Sequence, residues 1–429
     1  MCRKTVLDNG IRIISEEITY VRSVSIGAWV GCGSRYEKAS INGAAHFIEH
    51  MLFKGTKTRS ALDIASEIDS VGGILNAYTG KEVTSYYVKI PDYHLPLAID
   101  LLADILNNSL FDPEELEKER SVILQEINMV EDTPDDYIHD FFSDIFWKNH
   151  PLGFPVLGTR ETVGNLGRDS LLDFFAGNYT GDNLLIAAAG NMKHDDLVNL
   201  VRREFAKNGK KIRRKAGKIP EVKTSSSVME KDLEQVHAII GAPAPQYASE
   251  LRYPGFILNA VLGGSMSSRL FQEIREKRGL AYAIHSYMVS FHDTGMLGIY
   301  FGADGERLEE ISELTFIELQ RIKTELLTEK ELRSVKEQIK GNFLLSMEST
   351  DNRMMKLAKN EIYFHRNIPA EETVEGIEAV SADDVRKLAE DMFSPKHVCF
   401  AAIGNVPCGE LPLKLFADIG LSSRKSSTA

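Results

Sequence analysis

The second half of this chain repeats the first, and that repeat constrains the fold more than any other feature. Ser170-Leu171-Leu172-Asp173-Phe174-Phe175 reads as a helix, followed by a short loop, an apolar strand from Asn183 to Ala189 and a Gly190-Asn191 turn. The same succession returns as Asp384-Val385-Arg386-Lys387-Leu388-Ala389, an apolar strand from His397 to Ile403 and Gly404-Asn405, offset by 214 residues in a chain of 429. Phe111-Asp112-Pro113-Glu114-Glu115-Leu116 answers Leu327-Thr328-Glu329-Lys330-Glu331-Leu332, each an Asp or Thr opening a long helix. Near the front of each half, Val24-Ser25-Ile26-Gly27 resembles the apolar strand Val236 to Gly241. One period of half the chain means a duplicated domain rather than a solenoid. Strand runs mixed with long amphipathic helices, without regular βαβ alternation, predict an α+β fold. It would hold two homologous α/β domains, each a mostly antiparallel sheet covered by helices.

A charge anomaly marks the join. Lys207, Lys210, Lys211, Arg213, Arg214, Lys215 and Lys218 form a basic run with no acid, flanked by Gly209, Gly217, Pro220 and Ser225-Ser226-Ser227. The expected organisation is therefore a first domain over 1–206, a basic linker over 207–224 and a second domain over 225–429. The run has no interleaved aromatics and the whole chain carries −12, so a nucleic-acid partner is not expected. Hydrophobic residues at 43% exclude a disordered class, and no uncharged apolar run is long enough for a membrane helix. Met1 to Gly10 passes directly into strand-like sequence, with neither the apolar core of a signal peptide nor the composition of a transit peptide. Cys2, Cys32, Cys399 and Cys408 are scattered, and the expectation is a reduced, cytoplasmic protein.

The chemistry-bearing residues lie in the first half. In Asn42-Gly43-Ala44-Ala45-His46-Phe47-Ile48-Glu49-His50-Met51-Leu52-Phe53-Lys54-Gly55, Asn42 reads as an N-cap and Gly55 as a stop. His46 and His50, at i and i+4, then share one helix face and can grip one ion, with Glu49 beside them. This is H-x-x-E-H, the reverse of the usual zinc-protease order. Two histidines leave zinc short of a third protein ligand, commonly a carboxylate in hydrolases. On the helix opened by Asp112-Pro113, Glu119 and Glu126 lie seven apart on one stripe, and Glu126 sits among Ile123, Leu124 and Ile127. A carboxylate in apolar company needs a partner or a cation, whereas Glu114, Glu115 and Glu117 read as a solvated face.

His46-x-x-Glu49-His50 with Glu126, and Glu119 one heptad earlier, resembles the pitrilysin/insulinase metallopeptidases, most nearly the catalytic subunit of mitochondrial processing peptidase and its bacterial relatives. The likeness extends through Gly72 to Thr79 and through Asn149-His150-Pro151-Leu152-Gly153. It implies one zinc ion per chain on His46, His50 and Glu126, with Glu49 as general base and Glu119 in support. It also implies that Arg275 and Tyr282 reach the substrate backbone and the oxyanion, and that an extended peptide adds to the edge strand Leu75, Asn76, Ala77, Tyr78 and Thr79. In the second half Asn259, Leu262 and Gly263 stand where the H-x-x-E-H positions would recur. That half is then an inactive lid, closing on the first as a clamshell. Gly263-Gly264-Ser265 is shorter than the glycine loop of the family's noncatalytic subunits.

Specificity is read from Thr133-Pro134, which opens a further helix carrying Asp136 and Asp140 at i and i+4. Two like charges on one turn invite a cation, and the resemblance implies that acids at these offsets receive a substrate arginine. The expected function is a zinc endopeptidase cleaving short unfolded peptides or presequence-like segments that contain basic residues. The alternative is a noncatalytic, partner-binding subunit of a processing-peptidase-like complex. The expected assembly is a homodimer, or a heterodimer with a noncatalytic homologue.

Overall fold

Six strands make the first sheet: β1 (Cys2–Val6), β2 (Arg12–Glu17), β3 (Ser23–Val30), β4 (Ile74–Thr79), β5 (Thr84–Pro91) and β6 (Leu184–Gly190). They are hydrogen-bonded in the order β1-β2-β6-β3-β5-β4, antiparallel except for β2 with β6. The computed structural model describes residues 2–206, 209 and 217–406. The central strands β3 and β6 are almost wholly buried, as strands covered on both faces must be; β6 accordingly reads as an unbroken apolar run, while β3 is interrupted by Ser25. Val24, Ile26, Ala28, Ile186 and Ala188 face one core, shared with helices Ala44–Leu52, Leu95–Asn108 and Pro113–Glu131. Ile14, Trp29, Leu185, Ala187 and Ala189 face the other way, against Met354, Leu357 and Ala358 of helix Thr350–Phe364.

The second sheet has five strands: β7 (Ser226–Glu230), β8 (Val236–Pro243), β9 (Ala281–Ser290), β10 (Gly295–Ala303) and β11 (Cys399–Gly404). Their order is β7-β11-β8-β10-β9, with β7 and β11 the parallel pair. This repeats the topology β2-β6-β3-β5-β4, as the sequence duplication requires; β1 has no counterpart among the described residues. One face packs on helices Arg252–Leu262, Leu308–Thr324 and Ala382–Met392. The other carries Ile239, Met296, Tyr300, Ala401 and Ile403, covered by Ile138, Phe142 and Phe146 of helix Pro134–Phe146.

The two units are not the contiguous halves expected. The first draws on the spans Met1–Met129, Phe154–Gly217 and Leu345–Ile368, the second on Val130–Gly153, Lys218–Leu344 and Pro369–Ala429. Helix Pro134–Phe146 thus belongs with the second sheet and helix Thr350–Phe364 with the first. The physical cause is that each sheet is apolar on both faces and each helix fits its sheet in detail. On helix Thr350–Phe364, buried Glu361 meets Lys4 at 2.7 Å and Arg12 at 3.3 Å, Asp351 accepts from Ser25 Oγ at 2.6 Å, and Arg353 reaches Glu16 at 2.6 Å. On the second sheet, Gly241 leaves room for the Phe142 ring, which would lie 2.5 Å from any Cβ there. Apart from Lys218, the basic run lies outside the described residues, so the expected linker is described only over 217–224, with Gly209 alone before it. Among the described residues no helix is long and apolar enough to cross a membrane.

Candidate functional site

Helix Ala44–Leu52 lies against β4, and its apolar side chains Phe47, Ile48, Met51 and Leu52 are buried in the larger core of the first unit. That burial turns His46, Glu49 and His50 outward from the core together. The helix does not start as expected. Gly43, not Asn42, is the N-cap, with φ +95°, and a Cβ there would lie 2.7 Å from the Leu157 carbonyl oxygen. Asn42 is buried and donates its amide to Glu37 Oε2 at 2.9 Å and to the Pro155 carbonyl at 3.0 Å. Gly55, with φ +108°, does stand just beyond the helix end.

His46 Nε2 and His50 Nε2 lie 3.7 and 3.6 Å from Glu126 Oε2. Among the described residues these three form the one group of histidine, cysteine and acidic side chains whose ligand atoms all fall within 4.8 Å of one another. Atoms bound about 2.0–2.1 Å from one tetrahedral ion would be roughly 3.3 Å apart, so the spacing suits a metal after a small contraction. Glu126 Oε2 is buried and has no hydrogen-bond partner among the described residues. An ionised oxygen in that condition needs a cation. Burial, with the neighbouring His50, pushes the His46 imidazole down to about 3, so it is held in the neutral form that a metal requires. The residues present fit a zinc ion.

Around them stands a supporting set. Glu119, 4% exposed, accepts from His50 Nδ1 at 2.9 Å and from Lys54 Nζ at 2.8 Å. Because an ionised carboxylate can only accept, His50 must donate from Nδ1 and present the lone pair of Nε2 toward Glu126. Glu49 Oε2 accepts from Thr79 Oγ1 at 2.5 Å. Burial and the Glu126 carboxylate raise the Glu49 carboxyl above its ordinary range, against the opposing effects of the Thr79 bond and His50. Thr79 ends β4, an edge strand of its sheet, which among the described residues pairs only with β5. Along it Leu75, Ala77 and Thr79 are half-buried while Asn76 and Tyr78 are exposed, and the Ala77 N–H bonds Asn76 Oδ1 at 2.8 Å.

The first unit therefore brings together His46, Glu49, His50, Glu119, Glu126 and the strand Leu75 to Thr79. The other expected residues belong to the second unit. Arg275 lies in the π-helical turn Phe271–Glu276, its guanidinium 4.8 Å from the Phe271 ring and 5.1 Å from that of Tyr282. Tyr282, at the start of β9, is 78% exposed. Asp136 is exposed in the first turn of helix Pro134–Phe146 and Asp140 is half-buried one turn on. Sequence reasoning missed Lys54, Glu37 and the Thr79 hydroxyl. The one available signal was the acid at Glu37 shortly before a helix N-terminus, where negative charge is favourable.

Residues 12–160 match the family description "Insulinase (Peptidase family M16)" and residues 165–339 match "Peptidase M16 inactive domain". The uncharacterized zinc protease YmxG of Bacillus subtilis is 42% identical over 409 residues, covering 95% of this chain and 100% of the relative. An uncharacterized zinc protease of Streptomyces coelicolor is 40% identical, covering 91% of this chain and 87% of the relative. Among solved structures, a protease from Helicobacter pylori superposes with a TM-score of 0.88 at 20% identity, covering 94% of this chain and 99% of its own. At that identity the likeness speaks for the fold.

Proposed function

This chain belongs to the insulinase family, peptidase family M16, and from that premise we propose that it is a zinc endopeptidase cutting short, extended peptides with a basic residue shortly before the cleaved bond. The observation that carries the reading is the partnerless, buried Glu126 oxygen facing two imidazole nitrogens. His46, His50 and Glu126 would hold one zinc ion, which when bound supplies a Lewis acid for the attacking water and the scissile carbonyl. Glu49 takes the proton of that water and hands it to the leaving amine. The Thr79 hydroxyl holds one Glu49 oxygen and leaves the other for proton transfer. Glu119 fixes the ring of His50. The peptide adds as a strand along Leu75, Asn76, Ala77, Tyr78 and Thr79, read through main-chain hydrogen bonds. Asp136 and Asp140 receive the basic side chain, and Arg275 with Tyr282 steadies the developing oxyanion. A noncatalytic role finds no support in a site where base and ligands stand together.

The test is metal analysis alongside peptide hydrolysis. The purified protein should carry one zinc and lose hydrolysis on chelation. His50→Ala should lose most of the zinc, while Glu49→Gln should keep it and lose turnover by roughly 10²–10⁴-fold. Undiminished hydrolysis by Glu49→Gln, or by the metal-free protein, would reject the reading.

A further inference from the structure

The helix that carries His46, Glu49 and His50 has nine residues, too few to hold itself in water. Its buried apolar side chains Phe47, Ile48, Met51 and Leu52 fix its roll about its axis, and contacts at its ends set where it starts. His46 lies in the first turn of the helix, so whatever fixes the helix start fixes that ligand directly. The first N–H groups of a helix have no partner within it, and Gly43 at the N-cap has no side chain to supply one. A carboxylate from outside the helix does so. Glu37 is 4% exposed; its Oε2 accepts from Gly43 N at 2.8 Å and Asn42 Nδ2 at 2.9 Å, and its Oε1 from Ala45 N at 2.7 Å. Ala45 immediately precedes His46.

The segment that aims Glu37 is itself anchored. It follows the 3-10 turn Ser34–Tyr36, where Ser34 N bonds the Gly80 carbonyl at 3.2 Å, Arg35 N bonds the Lys81 carbonyl at 2.8 Å, and the Arg35 guanidinium meets buried Glu82 at 2.6 Å. The Glu37 side chain therefore ties the helix start to the β4–β5 turn through both of its oxygens. Nothing in H-x-x-E-H requires an acid at this place.

Resting on the zinc-peptidase reading, we propose that Glu37 is a positioning residue, which sets the axial place of helix Ala44–Leu52 and so the distance of His46 and His50 from Glu126. An ordinary helix cap would affect stability alone. A positioning residue must also change how well the metal is held and how fast bound substrate turns over, because ligand sites tolerate only about 0.5 Å of misplacement.

The experiment compares Glu37→Ala and Glu37→Gln with Leu357→Ala, which weakens the same unit without touching the helix start. Zinc affinity is measured by chelator competition, the ligand geometry by the visible absorption of the cobalt-substituted proteins, and kcat and KM on one peptide, all below the unfolding midpoints. In Glu37→Ala zinc affinity should fall about 10–100-fold, the scale seen when a supporting partner of a metal ligand is lost. The cobalt spectrum should shift and kcat should fall with KM within about twofold, whereas Leu357→Ala should keep wild-type values in all three. Glu37→Gln keeps the length and one accepting oxygen, so it should fall between, and it carries the test if Glu37→Ala does not fold. Wild-type zinc affinity and cobalt spectrum in the Glu37 variants, or equal losses in Leu357→Ala, would overturn the proposal. A wild-type protein that binds no zinc would instead reject the peptidase reading, and this inference with it.

Discussion

Replacing Leu357 by alanine tests whether a helix from the second half of the sequence holds up the metal-bearing unit. Leu357 is 3% exposed and packs with Ile14, Trp29 and Leu185 on the face of the first sheet opposite the helix Ala44–Leu52. The substitution removes three carbons, and at about 0.8 kcal/mol per buried methylene the lost transfer alone is about 2.4 kcal/mol. The walls of the hole cannot close in, because Leu185 is held in the ladder against Trp29 on one side and Arg12 on the other. A residual cavity therefore adds to the loss, for a total of about 3–4 kcal/mol. Leu344 on the preceding helix, 52% exposed, is the control and should cost under about 0.5 kcal/mol. The chain has two tryptophans, and they divide conveniently: Trp29 lies in the Leu357 cluster, and Trp147 lies in the core of the second unit. Urea unfolding followed by Trp29 fluorescence in a Trp147→Phe background should show the full loss. The same substitution followed by Trp147 in a Trp29→Phe background should show no larger one. A loss below about 1 kcal/mol at Trp29, or a larger loss at Trp147, would refute the assignment of this helix to the first sheet.

Three further outcomes are expected. Glu119→Gln should weaken zinc by about tenfold or more in a chelator titration, because His50 keeps an acceptor but the charge that raises its basicity is gone. Replacing Asp136 and Asp140 together by Asn should raise KM about tenfold for arginine-containing peptides, the scale of one charged contact of about 1.5–3 kcal/mol, and leave peptides without basic residues unchanged. Asp104 is buried, which opposes its ionisation, but bonds from Thr56, Asn108, Thr58 and Arg59 prevail and hold its carboxyl below 3.8. A depressed acid stabilises above its unfolded value and loses that contribution as pH falls through its folded one. Asp104→Asn should therefore be less stable than wild type by about 1.5–3 kcal/mol at neutral pH. In thermal unfolding the difference should shrink below pH 3.8.

What could be read from residues alone was whatever depends on local pattern. The spacing of His46, Glu49 and His50 requires only a helix, and the helix is there. The repeat of Gly190-Asn191 as Gly404-Asn405 after apolar strands foretold matching sheets, and β6 and β11 match. What escaped depends on residues distant in sequence. Asn42 has the side chain of an N-cap, yet its amide is taken by Glu37 and the Pro155 carbonyl, and Gly43 stands at the cap instead. Glu37 looks like any surface acid until Gly43 and Ala45 are folded onto it. The placement of helices Pro134–Phe146 and Thr350–Phe364 was invisible for a related reason. An amphipathic stripe says that a helix must lie on something apolar, not which of two similar sheets will receive it.

The cross-assignment of those two helices says something about what half of this chain would be. A polypeptide ending near Glu204 would carry a sheet bare on the face that Thr350–Phe364 covers, and a helix, Pro134–Phe146, with no sheet of its own to lie on. Two copies of such a polypeptide could satisfy both needs at once by each lending its helix to the other, which is how domain-swapped dimers with twofold symmetry are built. This chain has the connectivity of such a swapped pair joined end to end. The first half carries His46, Glu49 and His50, and the second has Asn259, Leu262 and Gly263 in their place.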